Sequence, residues 1–249
     1  LGDVYKRQGL FNTVNLELAR GVMEAAGELD SPVIIGTAEV LLPYGPIEDL
    51  ANLLIPMAER ASVPVVVHLD HGLKEETCRQ ALDLGFSSIM YDCSTMEYEA
   101  NIEHVKRMAE TAHSCGASIE AELGHVGDNG GEDPSLFYTD SAQARDFIER
   151  TGADALAIAV GTAHGAYKLP PKLDFNRIAE IAENIPTPLV LHGGSGLSDS
   201  DFRTAVERGI SKVNIFTDIN QAGARAAALG RREGMGLTDI ILPEIEAVK

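Results

Sequence analysis

The chain is predicted to fold as a single α/β domain, a (β/α)8 barrel of the TIM type, on three observations. Apolar, β-branched runs alternate eight times with segments of helical periodicity, in units of roughly 25 to 35 residues. The 249 residues show no composition break and no linker, and that length suits one closed barrel. An open doubly wound sheet fits less well, because it usually has about five to seven strands and its dinucleotide-binding form carries GxGxxG after the first strand. That fingerprint is missing here.

Gly9 to Asn12 is a short first strand, and Asn15 to Leu29 carries Leu18, Val22, Ala25, Ala26 and Leu29 on one helical stripe. Strand two covers Ser31 to Ile35. The helix after it, Pro46 to Arg60, has its proline near the start, where a missing N–H costs little. Strand three spans 63 to 69 within Val63-Pro-Val-Val-Val-His-Leu-Asp-His-Gly72, a β-branched run of the kind buried in parallel sheets. The alternation continues as helix 73–84, strand 86–91, helix 97–113 and strand 117–123. A polar, glycine-rich loop from Gly124 to Tyr138 is longer than most connections, and such loops are commonly lids or disordered segments. Then come helix 141–150, strand 153–160, helix 173–182, strand 188–191, helix 199–208, strand 212–216 and helix 217–229. Both ends read as truncated or altered. Leu1 to Gln8 has no periodicity and is expected to be non-native, set apart from the barrel over 9–249. Glu244 to Lys249 breaks off while still helical, so the chain is expected to be a fragment that keeps most of the domain.

Composition narrows the function. A net charge of −18 and the lack of a basic patch exclude a nucleic-acid partner. An anionic small molecule stays open, since local donors override a distant field. No apolar run approaches the ~20 residues of a membrane span, and no signal peptide is evident. Cys78, Cys93 and Cys115 have no CxxC spacing, which suits a reducing, cytoplasmic setting.

Barrel active sites form at the strand C-termini. Those tips carry Asn12, Thr37 or Ala38, Asp70 with His71, Asp92, Glu122, His164, His192 and Asn214. His71, His164 and His192 match a three-histidine site with one open position, as a catalytic zinc uses. Asp92 and Glu122 either hold a second or alternative cation or orient the histidines; a plain hydrogen-bond network is the competing reading. His104 and His113 are expected on an exposed helix face, His68 as a packed strand residue, and His125 stays open. The loops Leu191 to Gly196 and Val213 to Thr217 follow strands seven and eight, the usual place for a phosphate cradle of backbone N–H groups.

Five ordered motifs carry a resemblance. HLDHG (68–72), AELG (121–124), GTAHG (161–165), HGGSG (192–196) and NIFTDI (214–219) resemble the class II, zinc-dependent ketose-bisphosphate aldolases, the fructose- and tagatose-bisphosphate enzymes. The likeness runs from Gly9 to the C-terminus. It implies reversible aldol cleavage of a ketose 1,6-bisphosphate to dihydroxyacetone phosphate and an aldehyde such as glyceraldehyde 3-phosphate. It also implies His71, His164 and His192 as zinc ligands, Asp70 as the acid/base for the C4 hydroxyl, and Asp92 and Glu122 at a second divalent or monovalent cation position. Gly165, Gly193, Gly194, Ser195, Asn214 and Thr217 fall on positions that bind dihydroxyacetone phosphate, and Asn12 near the reacting carbons. Glu132 in the long loop is the candidate that protonates the carbanion carbon. The family's homodimers or homotetramers are the expected assembly. Departures are the missing helix before strand one, the shortened 125–137 loop, Ala38 (with Thr37 beside it) where relatives place Ser or Thr, and the shortened last helix. Two other readings compete: a metal-dependent barrel hydrolase, which has no need for a phosphate cradle, and a sugar-phosphate-binding, non-catalytic subunit of an aldolase complex.

Overall fold

A computed structural model describes residues 8–126, 138–165, 171–230, 234 and 236–249. Eight parallel strands close into a barrel in chain order, β8 pairing with β1. They are β1 (Gln8–Asn12), β2 (Val33–Ala38), β3 (Val65–Gly72), β4 (Ser88–Tyr91), β5 (Ser118–Leu123), β6 (Ala155–Ile158), β7 (Leu189–Leu191) and β8 (Ile210–Ile215). The helices are α1 (Leu16–Glu28), α2 (Ile47–Glu59), α3 (Glu75–Leu84), α4 (Tyr98–Ser114), α5 (Ser141–Thr151), α6 (Phe175–Asn184), α7 (Asp199–Glu207), α8 (Thr217–Gly230) and α9 (Thr238–Val248). The expected (β/α)8 barrel is what forms. β1 takes in Gln8, one residue before the expected start, and residues 1–7 lie outside the described ones.

Local chemistry starts and stops the helices where the periodicity placed them. Asn15 caps α1 by accepting from Leu18 N–H, and Asp140 caps α5 by accepting from Ala142 and Gln143. Ser198 and Asp201 close a reciprocal capping box on α7. Gly85 and Gly152 end α3 and α5 in the left-handed conformation. Pro46 precedes α2 as its N-cap instead of lying in its first turn. α9 packs on α8 and α1, and Lys249 pairs with Glu28.

Two apolar clusters divide along strand parity. The main core lies between strands and helices and includes Ile35, Val67, Leu69, Ile89, Ile119, Leu156 and Leu191. A separate cluster of Met90, Ala155, Ala157 and Val190 has the opposite parity and sits within the barrel. The interior also holds the apolar Leu10 and Ile34 and a set of polar residues, His68, Asp70, Glu120, Glu122, Lys212 and Asn214, all buried.

β3 runs three residues beyond its expected end, because Asp70 still pairs with Ala38 on β2 and Gly72 with Tyr91 on β4. Between Leu69 and Gly72 the β3–β4 register shifts, and His71 adopts φ +40°, in the left-handed region. Regular alternation would send His71 outward after an inward Asp70. The irregularity turns it back to the mouth, as bulges do beside active sites. Gly72 makes room for this turn, since a Cβ there would lie 2.5 Å from Cys78 Sγ and 2.8 Å from the Met90 carbonyl oxygen. Gly72→Ala should therefore destabilise the fold by about 1–3 kcal/mol. Urea unfolding checks this, and an unchanged midpoint would refute it.

Candidate active site

The mouth of the barrel holds a cavity of about 450 Å³. Its walls include Asn12, Asp70, His71, Asp92, His164, Gly165, Gly193, Ser195, Asn214 and Thr217, so ten of the expected site residues converge there. His192 and Glu122 lie just beneath it, both fully buried. Gly194 packs behind the wall, where a Cβ would come within 2.4 Å of Val213 Cγ1 and 2.8 Å of the Asn214 carbonyl. Glu132 lies outside the described residues.

Strand ends set the geometry. His192 follows β7 directly and Asp92 follows β4, while Glu122 and Asn214 sit inside β5 and β8. His164 lies beyond the end of β6, on the stretch that leads to Gly165. The three imidazoles meet edge to face around His71. His71 Nε2 is 2.7 Å from His192 Nδ1 and 3.1 Å from His164 Nε2. Three ring nitrogens aimed at one point repel unless a proton or a metal ion lies among them. Tetrahedral zinc with Zn–N near 2.0–2.1 Å would hold its nitrogens ~3.3 Å apart. The two contacts of His71 would open by about 0.6 and 0.2 Å, and all three ligand atoms already lie within 4.8 Å of one another, so the donor set fits such an ion. Glu122 adds a further donor: its Oε2 is buried without a hydrogen-bond partner among the described residues and stands 3.8 Å from His192 Nδ1.

The neighbours fix each ring. Asp92 Oδ2 is 2.7 Å from His71 Nδ1, which leaves Nε2 facing the cluster. The other Asp92 oxygen accepts from Ser94 N–H, and Ser94 Oγ contacts His125 Nδ1. Burial opposes a charge on His71, yet the Asp70 carboxylate, the Asp92 hydrogen bond and Glu122 together push its pKa up to about 10. Burial and the neighbouring charge of His71 push His164 the other way, to about 4, so its ring is neutral and able to ligate.

Asp70 is held at both oxygens. Asn12 Nδ2 donates to Oδ2 at 2.7 Å, and Asn214 Nδ2 to Oδ1 at 2.8 Å. Burial raises its pKa, but His71, His192 and Lys212 outweigh burial and keep the carboxyl well below the usual range. An ionised carboxylate with fixed oxygens beside three imidazoles can accept a proton.

The far wall is built from backbone. Gly193 and Gly165 have positive φ, and α8 starts at Thr217, which lines the mouth, so the positive end of the helix faces that side. Ser195 Oγ accepts from Phe216 and Asp218 N–H, tying the β7 loop to the start of α8.

Sequence reading missed the layer below. Glu120 and Lys212 are fully buried and 2.5 Å apart, and Glu120 also contacts His192. Burial raises the Glu120 pKa, but Lys212 and His192 outweigh it and bring it to about 2. Parity was the available signal: Glu120 shares its face with Glu122, and Lys212 with Asn214. His68 is packed as expected, bonded to Ser88 Oγ at 2.8 Å. His113 is exposed, but His104 is half-buried against Tyr91, because α4 turns it toward the end of β4.

The chain is similar to known proteins over most of its length. The family model described as fructose-bisphosphate aldolase class-II matches residues 8–246. The fructose-bisphosphate aldolase of Thermus caldophilus is 40% identical over 244 residues, 86% of this chain and 79% of that protein. The Escherichia coli (strain K12) protein YdjI is 42% identical over 215 residues, 85% of this chain and 77% of that one. The crystal structure of the YdjI aldolase from Escherichia coli K12 superposes with a TM-score of 0.89 at 36% identity, covering 98% of this chain and 88% of that chain. A match over nearly the whole barrel, together with a strand-tip site of the kind described, places the chain in the class II fructose-bisphosphate aldolase family, and so among the carbon–carbon lyases.

Proposed function

We propose that this protein is a zinc-dependent aldolase that cleaves a ketose 1,6-bisphosphate, of the fructose or tagatose type, to dihydroxyacetone phosphate and an aldehyde such as glyceraldehyde 3-phosphate. The observation that carries the reading is the meeting of His71, His164 and His192 within 3.1 Å contacts beside a clamped Asp70. Zinc bound by these histidines supplies Lewis acidity for the charge that cleavage leaves beside the ketone.

The chain's own residues do the rest. Asp70 takes the C4 hydroxyl proton during cleavage and returns it during condensation. Asn12 and Asn214 hold its carboxylate and keep their own Oδ1 atoms, buried and unpartnered among the described residues, available for substrate hydroxyls. Gly165, Gly193, Ser195 and Thr217 offer the phosphate a wall of N–H groups, and Gly194 lets that wall pack. Ser195 contributes through its backbone or its hydroxyl hydrogen, since its oxygen lone pairs are engaged. Binding the phosphate away from the reacting bond helps orient that bond. Asp92 orients His71, and Glu122 is placed for a second or displaced cation. Glu132 is proposed as the acid for the carbanion carbon.

The working form is proposed to be a cytoplasmic homodimer or homotetramer. In support, no described helix is long and apolar enough to cross a membrane, and all three cysteines are free. Family membership sets the hydrolase reading aside.

The test is release of dihydroxyacetone phosphate from fructose 1,6-bisphosphate and tagatose 1,6-bisphosphate, with EDTA and after zinc is restored. Cleavage that EDTA abolishes and zinc restores is expected, and the ratio of rates names the ketose. Cleavage indifferent to EDTA would refute the metal dependence. Zinc binding without cleavage of either sugar would favour the non-catalytic subunit.

A further inference from the structure

We infer that Glu120 and Lys212, an ion pair sealed inside the barrel, are positioning residues for the metal site: Glu120 fixes the ring of His192 with Nδ1 toward the other imidazoles, and Lys212 fixes Glu120. The inference rests on the zinc site proposed above. Neither residue lines the mouth cavity, so neither meets substrate directly.

His192 has no exposed surface, and each ring nitrogen faces a different layer. Nδ1 points up, 2.7 Å from His71 Nε2. Nε2 points down, 2.8 Å from Glu120 Oε1. A carboxylate can only accept at that distance, so Nε2 carries the hydrogen and Nδ1 keeps a lone pair for a metal. Asn214 Nδ2 also lies 3.3 Å from Nε2 and has a second hydrogen besides the one it gives Asp70, but the 2.8 Å contact with the Glu120 carboxylate is shorter and charge-assisted, so it sets the tautomer.

Glu120 needs a partner of its own, because a lone carboxylate in this interior would be strongly disfavoured. Lys212 Nζ supplies it, 2.5 Å from Oε2 and 3.5 Å from His68 Nε2. His68 in turn is held by Ser88. His68, Asp70 and Glu120 together form a second grouping with metal-ligand spacing. The Lys212 ammonium is already the cation there. It occupies the deep grouping and leaves the three histidines as the place for the metal.

Removing one charge alone would strand the other, so the test uses paired substitutions. Glu120→Met with Lys212→Met replaces a buried ion pair by apolar side chains of similar size, an exchange that folds often tolerate. Glu120→Gln with Lys212→Met restores an oxygen that can accept from His192. Zinc Kd, measured by competition with a chelator, is expected to rise about 10–100-fold in the Met/Met protein. The Gln/Met protein is expected to recover to within about threefold of the parent. Thermal unfolding of each metal-free protein shows whether packing changed.

Equal zinc affinity in the Met/Met and Gln/Met proteins, whether kept or lost, would overturn the inference. If Met/Met fails to fold, the parent protein still decides. Two-bond 15N–1H spectra of its histidines, metal-free, should show His192 protonated at Nε2, and a hydrogen on Nδ1 alone would overturn the inference. A parent protein that binds no zinc yet shows the Nε2–H tautomer would refute the zinc reading while leaving the positioning by Glu120 intact.

Discussion

Asp70→Ala should lower kcat at least about 1,000-fold while the protein keeps its zinc, within the range lost when a positioned acid/base is removed. The carboxylate sits at the third strand's tip with both oxygens bonded to asparagines, an arrangement that orients it and leaves it ionised. Alanine removes the proton acceptor and leaves the amides of Asn12 and Asn214 without one. Two of the three zinc-candidate histidines have anchors other than Asp70: His71 is held by Asp92, His192 by Glu120. Metal content and kcat should therefore separate. Steady-state cleavage of the preferred ketose bisphosphate, with zinc measured on the same sample, checks both halves. A kcat within tenfold of the parent would sink the role proposed for Asp70. Joint loss of metal and activity would mean that it helps hold the ion.

His192→Ala should weaken zinc binding by more than the roughly 100-fold typical of losing a ligand's partner, and abolish cleavage with it. His192 is central to the cluster: it touches His71, faces Glu122 and joins the mouth to the buried layer below. Its loss also leaves Glu120 with Lys212 alone, so a lower unfolding temperature is expected alongside the metal loss. His125→Ala is the control. That ring contacts Ser94 and lies 3.7 Å from Glu122, but it is outside the three-histidine grouping. Its zinc affinity should stay within about tenfold of the parent, below the effect expected for His192. Isothermal titration with zinc on both proteins gives the comparison, and similar losses in the two would mean that the wrong histidines were chosen.

Much of this molecule was legible in one dimension. Alternation of period 2 and period 3.6 segments located eight strands and the helices between them, because each must bury one face against the other. Closure and direction then follow, since strand–helix–strand units of this length make parallel neighbours. Parallel strands in a barrel end at one rim, so listing their last residues was enough to name Asn12, Asp70, His71, Asp92, His192 and Asn214. His164 was found the same way, although it lies past the end of its strand on the stretch leading to Gly165.

Three features needed the folded chain. The turn at His71 comes from a register shift between β3 and β4, and pairing offsets between strands leave no mark on either strand's composition. The division of labour among the glycines depends on what stands behind each one: Gly193 lines the cavity, while Gly194 is pressed against Val213. The third is the ion pair beneath the site. Glu120 and Lys212 are 92 residues apart and on strands that do not pair, so only barrel closure brings the two interior faces together. A buried glutamate and a buried lysine look, in sequence, like ordinary solvated charges. The sequence by itself determined the barrel and the rim residues, because periodicity and strand ends are local properties. The tertiary structure alone decided which charges are buried and which ring nitrogen each histidine presents, because both depend on partners brought across the barrel.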